Sequence, residues 1–299
     1  MRRKLRIQQD IRKKKKYNNN KILIMKTPQQ LILEELMKKP LIKQRTPEWF
    51  KLREDRLTAS DLYDAIKNPL SLARKKLKGN SFSSNAIPAL KWGTMFEPMA
   101  TRIYSYDKKK QVFEFGLIIN DDIKNFGASP DGITEDGVMI EIKCPYSRKI
   151  IDGNIPEKYY YQIQGQLAVC KLNDCDYIEC EFITFENEYK YLSAIENIDN
   201  AYHGIIIEKK DESGEIIYKY STENQDGFMN IKEFDTYKNN QEWKFNYWKL
   251  NMINIQKVVF DNDGWNHKIA PKINQFYDIY IKEKNINKAP INLFMDDDD

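Results

Sequence analysis

The chain has 299 residues, 41% of them hydrophobic and 31% charged, with a formal net charge of +4 and a mean hydropathy of −0.70. That balance excludes a disordered chain, and no apolar run approaches the ~20 residues that a bilayer-spanning helix needs. Four cysteines and two histidines, without closely paired spacing, exclude a disulfide scaffold, argue against a structural zinc and point to a soluble protein of a reducing intracellular compartment.

Residues 1–26 read as a basic, Asn-containing extension, with nine Lys or Arg against the single acid Asp10 in residues 1–16. Beyond residues 1–16 and Asp296–Asp299, bases and acids balance at 39 each, so any nucleic-acid surface on the body has to be local. The tail is open to three readings: contact with phosphate backbones, an import signal, or a solvated extension. Thr27-Pro28 opens an amphipathic helix to Lys39. Thr46-Pro47-Glu48 opens a second through Trp49, Leu52 and Arg53. Thr58-Ala59-Ser60 leads into a third, with Ser60 as N-cap for Asp61 to Ile66. Asn68 to Pro88, rich in Lys, Ser and Asn, reads as a loop-bearing insert whose Lys75, Lys76 and Lys78 fit a solvated surface better than contacts to a duplex.

Residues 92–106 have a helical pattern, but Pro98 lacks an N–H, which predicts a helix that starts near Thr94 or kinks and displaces Glu97. A strand at Gln111–Ile119 and a hairpin around 126–144 follow, then a helix over 156–171. Strands come next at Tyr177–Phe185 and Glu188–Leu192, and a hairpin pairs Ile205–Glu208 with Glu215–Tyr220. From about Asn230 the pattern reads as helical and aromatic, a helical layer or a partner surface. The organisation expected is a 1–26 extension, a domain over 27–225, and a C-terminal helical segment with an acidic tail over 226–299.

The chemistry concentrates in Ser129-Pro130-Asp131-Gly132 and in Glu141-Ile142-Lys143. Along Val138 to Cys144 side chains alternate between faces: Val138, Ile140, Ile142 and Cys144 share an apolar one, and Glu141 and Lys143 the other. A turn at Asp131-Gly132 folds the first carboxylate back toward Glu141. Two carboxylates and an ammonium suit a hard divalent cation with a water beside it. Taken alone, Glu141 and Lys143 also fit an ordinary exposed strand face with a charge pair. Cys144 reads as packing rather than as a nucleophile. Gln162 lies on the later helix with Tyr159 and Gln166 at i−3 and i+4, while Tyr160, Ile163, Leu167 and Cys170 form the core-facing stripe.

Six blocks occur in order: Trp49-Phe50-Lys51-Leu52-Arg53, Thr58-Ala59-Ser60, Trp92-Gly93-Thr94-Met95-Phe96-Glu97, Ser129-Pro130-Asp131-Gly132, Glu141-Ile142-Lys143-Cys144-Pro145 and Tyr159-Tyr160-Tyr161-Gln162-Ile163-Gln164. The series resembles the lambda-exonuclease/YqaJ branch of the PD-(D/E)XK nuclease superfamily, the viral recombinase-type exonucleases, over about residues 45–195. The resemblance implies an α/β fold, a mixed central β-sheet flanked by helices, with an added C-terminal helical segment. It implies Asp131, Glu141 and the carbonyl of Ile142 as ligands of Mg²⁺, for which Mn²⁺ substitutes. Lys143 would hold or deprotonate the attacking water, Gln162 would orient that lysine, and Glu97 would complete a second metal site.

Arg53, Ser60 and Ser129 resemble that family's pocket for a 5′-terminal phosphate; an arginine fork and hydroxyls near a helix N-terminus suit a dianionic end. The implied activity is Mg²⁺-dependent hydrolysis of double-stranded DNA from 5′ ends, in viral recombination, replication or repair. A structure-specific endonuclease of the same fold and a non-catalytic DNA-end-binding protein are the alternatives. Implied partners are duplex DNA ends, a single-strand annealing protein and further copies of this chain, without a membrane. The implied place is the host cytoplasm or a viral replication site, with the nucleus left open.

Overall fold

A computed structural model of the chain describes residues 25–79, 87–196, 202–221 and 231–286. The basic extension, apart from Met25 and Lys26, and the acidic end lie outside the described residues. Helix α1 (Pro28–Met37) starts at Thr27, whose hydroxyl accepts the Gln30 N–H while Gln30 Oε1 accepts the Thr27 N–H. Helix α2 (Pro47–Glu54) starts at Thr46 in a similar way, its hydroxyl taking the Trp49 N–H. Strand β1 (Leu57–Thr58), a 3₁₀ turn at Ala59–Asp61, α3 (Leu62–Lys67) and α4 (Pro69–Lys78) follow.

Two expectations are corrected here. The cap is Thr58 rather than Ser60: Asp61 Oδ2 accepts both the Thr58 N–H, at 3.1 Å, and its hydroxyl, at 2.8 Å, and Ser60 stays exposed. The lysine-rich stretch after Asn68 forms α4 rather than a loop, because Pro69 supplies the first helical φ and Leu72 and Ala73 bury one side.

Helix α5 (Pro88–Lys108) is a third correction. It runs unbroken past Pro98, although an interior proline costs ~3 kcal/mol in helical hydrogen bonding and sterics. Burial of Met95, Phe96, Met99, Ala100, Ile103 and Tyr104 outweighs that cost, and Phe96 stacks on Phe182 with ring centres 4.4 Å apart.

The remaining elements are β2 (Val112–Phe113), β3 (Ile118–Ile119), β4 (Phe126–Ala128), β5 (Gly132–Thr134), β6 (Met139–Lys143), α6 (Glu157–Cys170), β7 (Asp174–Phe185), α7 (Glu188–Ile195), β8 (His203–Lys210), β9 (Ile216–Tyr220), β10 (Lys244–Val259) and α8 (Ala270–Ile286). Among the described residues the main sheet has seven strands in the order β2-β5-β6-β7-β10-β8-β9, and a small sheet has the order β1-β4-β3. The expected strand Gln111–Ile119 is thus two short strands in different sheets. Residues 188–195 are helix rather than strand, since the Asn187 side chain caps Lys190 N at 2.9 Å.

The expectation of helix from residue 230 holds for α8 but is corrected for 244–259. Its aromatic and β-branched residues form the 16-residue β10, which pairs antiparallel with β7 on one side and β8 on the other. Lys244–Val259 therefore belongs to the main sheet, between β7 and β8.

The sheet is covered on both faces, which is the mixed α/β architecture expected. Ile140, Ile142, Ile178, Cys180, Phe182, Ile206 and Trp248 pack beneath α5. On the other face Met139, Cys175, Tyr177 and Val258 meet Ile163, Leu167 and Cys170 of α6, in one core with residues of α3, α4 and α8. Strands β6 and β7 are parallel, so the chain must cross over between them, and the crossover is α6.

Candidate active site

That crossover decides what surrounds Glu141. With Ile140 and Ile142 turned to α5, the alternation of β6 turns Glu141 and Lys143 to α6. Glu141 has 0% relative exposure. Its Oε1 accepts Lys143 Nζ and Gln162 Nε2, the latter at 2.7 Å; its Oε2 accepts Gln166 Nε2 at 2.7 Å. The reading of this pair as an ordinary exposed strand face is therefore overturned. Lys143 Nζ also lies 4.8 Å from the centre of the Tyr159 ring. Burial alone would lower the Lys143 pKa, but the carboxylates of Glu141 and Asp131 more than offset it and hold the ammonium form above its ordinary range.

The turn after Ser129 returns Asp131 to β6, where its Oδ2 accepts the Ile142 N–H at 2.7 Å. Burial, reinforced by Glu141 and Glu97, pushes the Asp131 carboxyl well above the usual carboxylate range, against the opposing effects of Lys143 and the Ile142 N–H. Glu97 is thus part of the same field, reached from the middle of α5, and its own carboxylate pairs with Arg45 at 2.7 Å. Among the described residues no three His, Cys, Asp or Glu side chains form a ready-made metal cage. Magnesium does not require one: it keeps several waters and takes one or two protein carboxylates. The excess negative charge felt at Asp131 and the hard oxygen donors of Asp131 and Glu141 fit such an ion.

A second cluster forms where α2 meets the Thr58 turn. Arg53 Nη2 donates to Thr58 Oγ1 at 3.2 Å and to Ser60 Oγ at 3.3 Å. Its guanidinium lies 4.2 Å from the Trp49 ring centre, and Trp49 Nε1 donates to Ser129 Oγ at 3.1 Å. Arg53 and Ser60 are therefore in contact, whereas Ser129 joins them through Trp49. Burial lowers the Arg53 pKa and Asp61 opposes that shift. Lys76 is a buttress rather than a solvated lysine: it pairs with Asp61 at 2.9 Å and donates to the Arg56 carbonyl at 2.9 Å. Gln166 also reaches the Ser129 carbonyl at 3.5 Å, so one side chain touches Glu141 and the segment that carries Asp131.

Sequence reasoning placed Gln166 one turn from Gln162 but gave it no role; the i+4 spacing was the available signal. Thr58 stood inside a recognised block without an assignment. Arg45, in the linker before α2 at a φ of +65°, carried no signal at all.

Fold and site together define a mixed α/β domain with its acid–lysine strand beneath a crossover helix. Residues 48–173 match the family model of the YqaJ-like viral recombinase domain. An uncharacterized protein of Acanthamoeba polyphaga mimivirus is 26% identical, across 82% of this chain and 54% of that protein; the chain spans about half the length of this curated relative. Similar solved structures include an alkaline exonuclease of Laribacter hongkongensis, 21% identical over 82% of this chain and 100% of that one, with a TM-score of 0.48. The same enzyme in complex with dAMP is 22% identical over the same shares, also with a TM-score of 0.48. A phage-related exonuclease of Haemophilus somnus is 12% identical over 78% of this chain and 96% of that one, with a TM-score of 0.45. Among the described residues no helix is long and apolar enough to cross a membrane.

Proposed function

We propose that this chain is a Mg²⁺-dependent deoxyribonuclease that removes nucleotides from the 5′ ends of double-stranded DNA, in viral DNA recombination, replication or repair. The observation that carries the reading is the buried Glu141 paired with the part-buried Lys143 beneath α6, with Asp131 folded back onto Ile142. Asp131, Glu141 and the Ile142 carbonyl would hold Mg²⁺, or Mn²⁺ in its place, and Glu97 a second ion once it parts from Arg45. The bound ion supplies Lewis-acid polarisation of the phosphodiester and a more acidic water.

Lys143, kept as an ammonium by its carboxylate neighbours, holds the oxygen of the attacking water and opposes the charge that builds on the phosphorane. Gln162 acts on the lysine through the oxygen of Glu141 that both share. Arg53 and Ser60 take the terminal phosphate, with Ser129 set by Trp49. Water attacks phosphorus, the bond to the leaving 3′ oxygen breaks, and that oxygen takes up a proton. The shortened strand then carries a new 5′-phosphate, the group that Arg53 binds next. Duplex ends are the expected partner; a single-strand annealing protein, self-association and a site of action in the host cytoplasm or at a viral replication site belong to the same proposal.

The test is a linear duplex with labelled ends and 5′-phosphates, incubated with and without Mg²⁺, beside a covalently closed circle. The expected result is stepwise loss from 5′ ends, only with the metal ion, with the circle intact. Equal activity of Lys143→Ala overturns the site. Cleavage of the circle favours an endonuclease, and end binding without hydrolysis favours a non-catalytic DNA-end-binding protein.

A further inference from the structure

A cleft of about 170 Å³ opens between the start of α5 and the β8–β9–β10 end of the main sheet, lined by Lys91, Glu208, Lys209, Lys210, Ile216, Glu242 and Lys244. Glu208 forms its floor. That side chain is 7% exposed, and its Oε1 faces Lys91 Nζ at 2.8 Å and Lys244 Nζ at 3.7 Å. Its Oε2 is buried and has no hydrogen-bond partner among the described residues. Tyr218, the cross-strand neighbour of Glu208, has a buried hydroxyl in the same condition. A buried carboxylate oxygen without a partner, in the residue at the floor of a lysine-lined cleft, calls for an explanation in a polar neighbour.

The charge around the cleft shows which kind. Lys209 faces the mostly exposed Glu242 at 3.6 Å, and Lys210 has no ion pair among the described residues. One buried carboxylate thus anchors two ammonium groups, and two further lysines stand at the rim with a single exposed acid against them. Lys91 lies in the first turn of α5, where the helix dipole adds positive potential.

The cleft is also joined to the catalytic region. Lys91 and Glu97 are on the same helix, six residues and roughly 9 Å of rise apart, on the order of two or three nucleotide steps at about 3.4 Å each. Tyr218 lies opposite Glu208 and packs against the core beneath α5.

We propose that this cleft is a second nucleic-acid subsite, which takes phosphodiester groups of a single DNA strand a few nucleotides from the catalytic centre. The lysines contact phosphates, and Glu208 holds Lys91 and Lys244 in place beneath them. The inference rests on the nuclease reading only for the identity of the strand.

The test measures the full chain binding a fluorescein-labelled single-stranded dT oligonucleotide in EDTA, by anisotropy over a salt series. Lys210→Gln with Lys244→Gln is compared with a charge-matched control, Lys272→Gln with Lys282→Gln on the exposed side of α8. The cleft variant is expected to bind more weakly and to reduce the slope of log affinity against log salt by about 1.4, two contacts at about 0.7 each. The control is expected to keep the wild-type slope. An unchanged slope in the cleft variant, an equal loss in the control, or no strand binding by the wild type overturns the subsite. Hydrolysis of 5′-phosphorylated duplex by the wild type, measured in parallel with Mg²⁺, reports separately on the nuclease reading.

Discussion

Gln166 Nε2 donates to Glu141 Oε2 at 2.7 Å, on the opposite oxygen from the one that Lys143 and Gln162 share. Two amides one helical turn apart thus fix both oxygens of a carboxylate that has no contact with solvent. Side chains that orient a metal-binding group without touching the metal typically change its affinity about 10–100-fold when removed. Gln166→Met keeps the volume and loses the donor. We expect it to raise the Mg²⁺ concentration needed for half-maximal hydrolysis by about 10–100-fold, with turnover at saturating Mg²⁺ much less affected. Loss of a buried bond to a charged acceptor is also expected to cost about 1.5–3 kcal/mol of stability. Gln162→Met should instead lower turnover, because it shares the oxygen that positions Lys143. Metal titrations and urea unfolding of both variants separate the two roles.

Asp131 illustrates a site that opposes its own fold. Its carboxyl is raised well above its ordinary value of 3.8 by burial and by Glu141 and Glu97. An acid raised in the folded state binds more protons folded than unfolded, so stability falls as pH climbs from the unfolded value through the folded one. A rise in pH above 3.8 therefore works against the metal-free fold at this residue. Asp131→Asn keeps an acceptor for the Ile142 N–H and removes the charge. The expected outcome is a higher Tm than wild type at pH 7–8 without metal, a difference that shrinks as pH approaches 3.8, and loss of hydrolysis. Added Mg²⁺ should raise the wild-type Tm and leave that of the variant nearly unchanged. A variant less stable than wild type at neutral pH would contradict the account.

Arg53 donates to Thr58 and Ser60 over the Trp49 ring, a posture in which an anion is its natural further partner. Charge-assisted hydrogen bonds of about 1.5–3 kcal/mol translate to roughly 10- to 150-fold in rate. Arg53→Gln should therefore slow hydrolysis of 5′-phosphorylated duplex by that factor while changing the rate on 5′-hydroxyl duplex little. Equal losses on both substrates would assign Arg53 to structure rather than to end recognition.

What the sequence disclosed depended on how local each feature was. Period-two alternation placed Glu141 and Lys143 opposite Ile140 and Ile142, and the structure keeps that division. It could not show that the polar face is covered, because the cover is α6, set by the parallel pairing of β6 and β7. Pro98 misled for a related reason: a local rule predicted a start near Thr94 or a kink, whereas the helix starts at Pro88 and its face is buried against Phe182 and Trp248. Lys244–Val259 carried aromatic residues that suit either a helix or a strand, and only the open edge of β7 decided between them. Arg45 reaches Glu97 across 52 residues of sequence, a contact without a local signature.

Gly165 is where the two candidate clusters touch through the scaffold. A Cβ there would lie 2.4 Å from Leu62 Cδ1, 3.1 Å from Ala59 Cβ and 3.3 Å from Phe126 Cζ. The first contact is with the end of a side chain, but Leu62 is 0% exposed and has nowhere to swing. Alanine gains about 1 kcal/mol of helix propensity over glycine, whereas overpacking a tight interface costs about 1–3 kcal/mol. Gly165→Ala is therefore expected to be destabilising by up to about 2 kcal/mol, measurable by urea unfolding. The displacement has a direction. Gly165 lies between Gln162 and Gln166 on α6, and Ala59 lies beside Ser60, so relief of the clash moves the amides that hold Glu141 away from the turn that holds Arg53. Turnover on 5′-phosphorylated duplex should fall, and the preference for 5′-phosphate over 5′-hydroxyl ends should narrow, because the distance between end pocket and reacting centre is what that contact sets. A variant that loses stability but keeps both turnover and end preference would show that the two clusters are positioned independently.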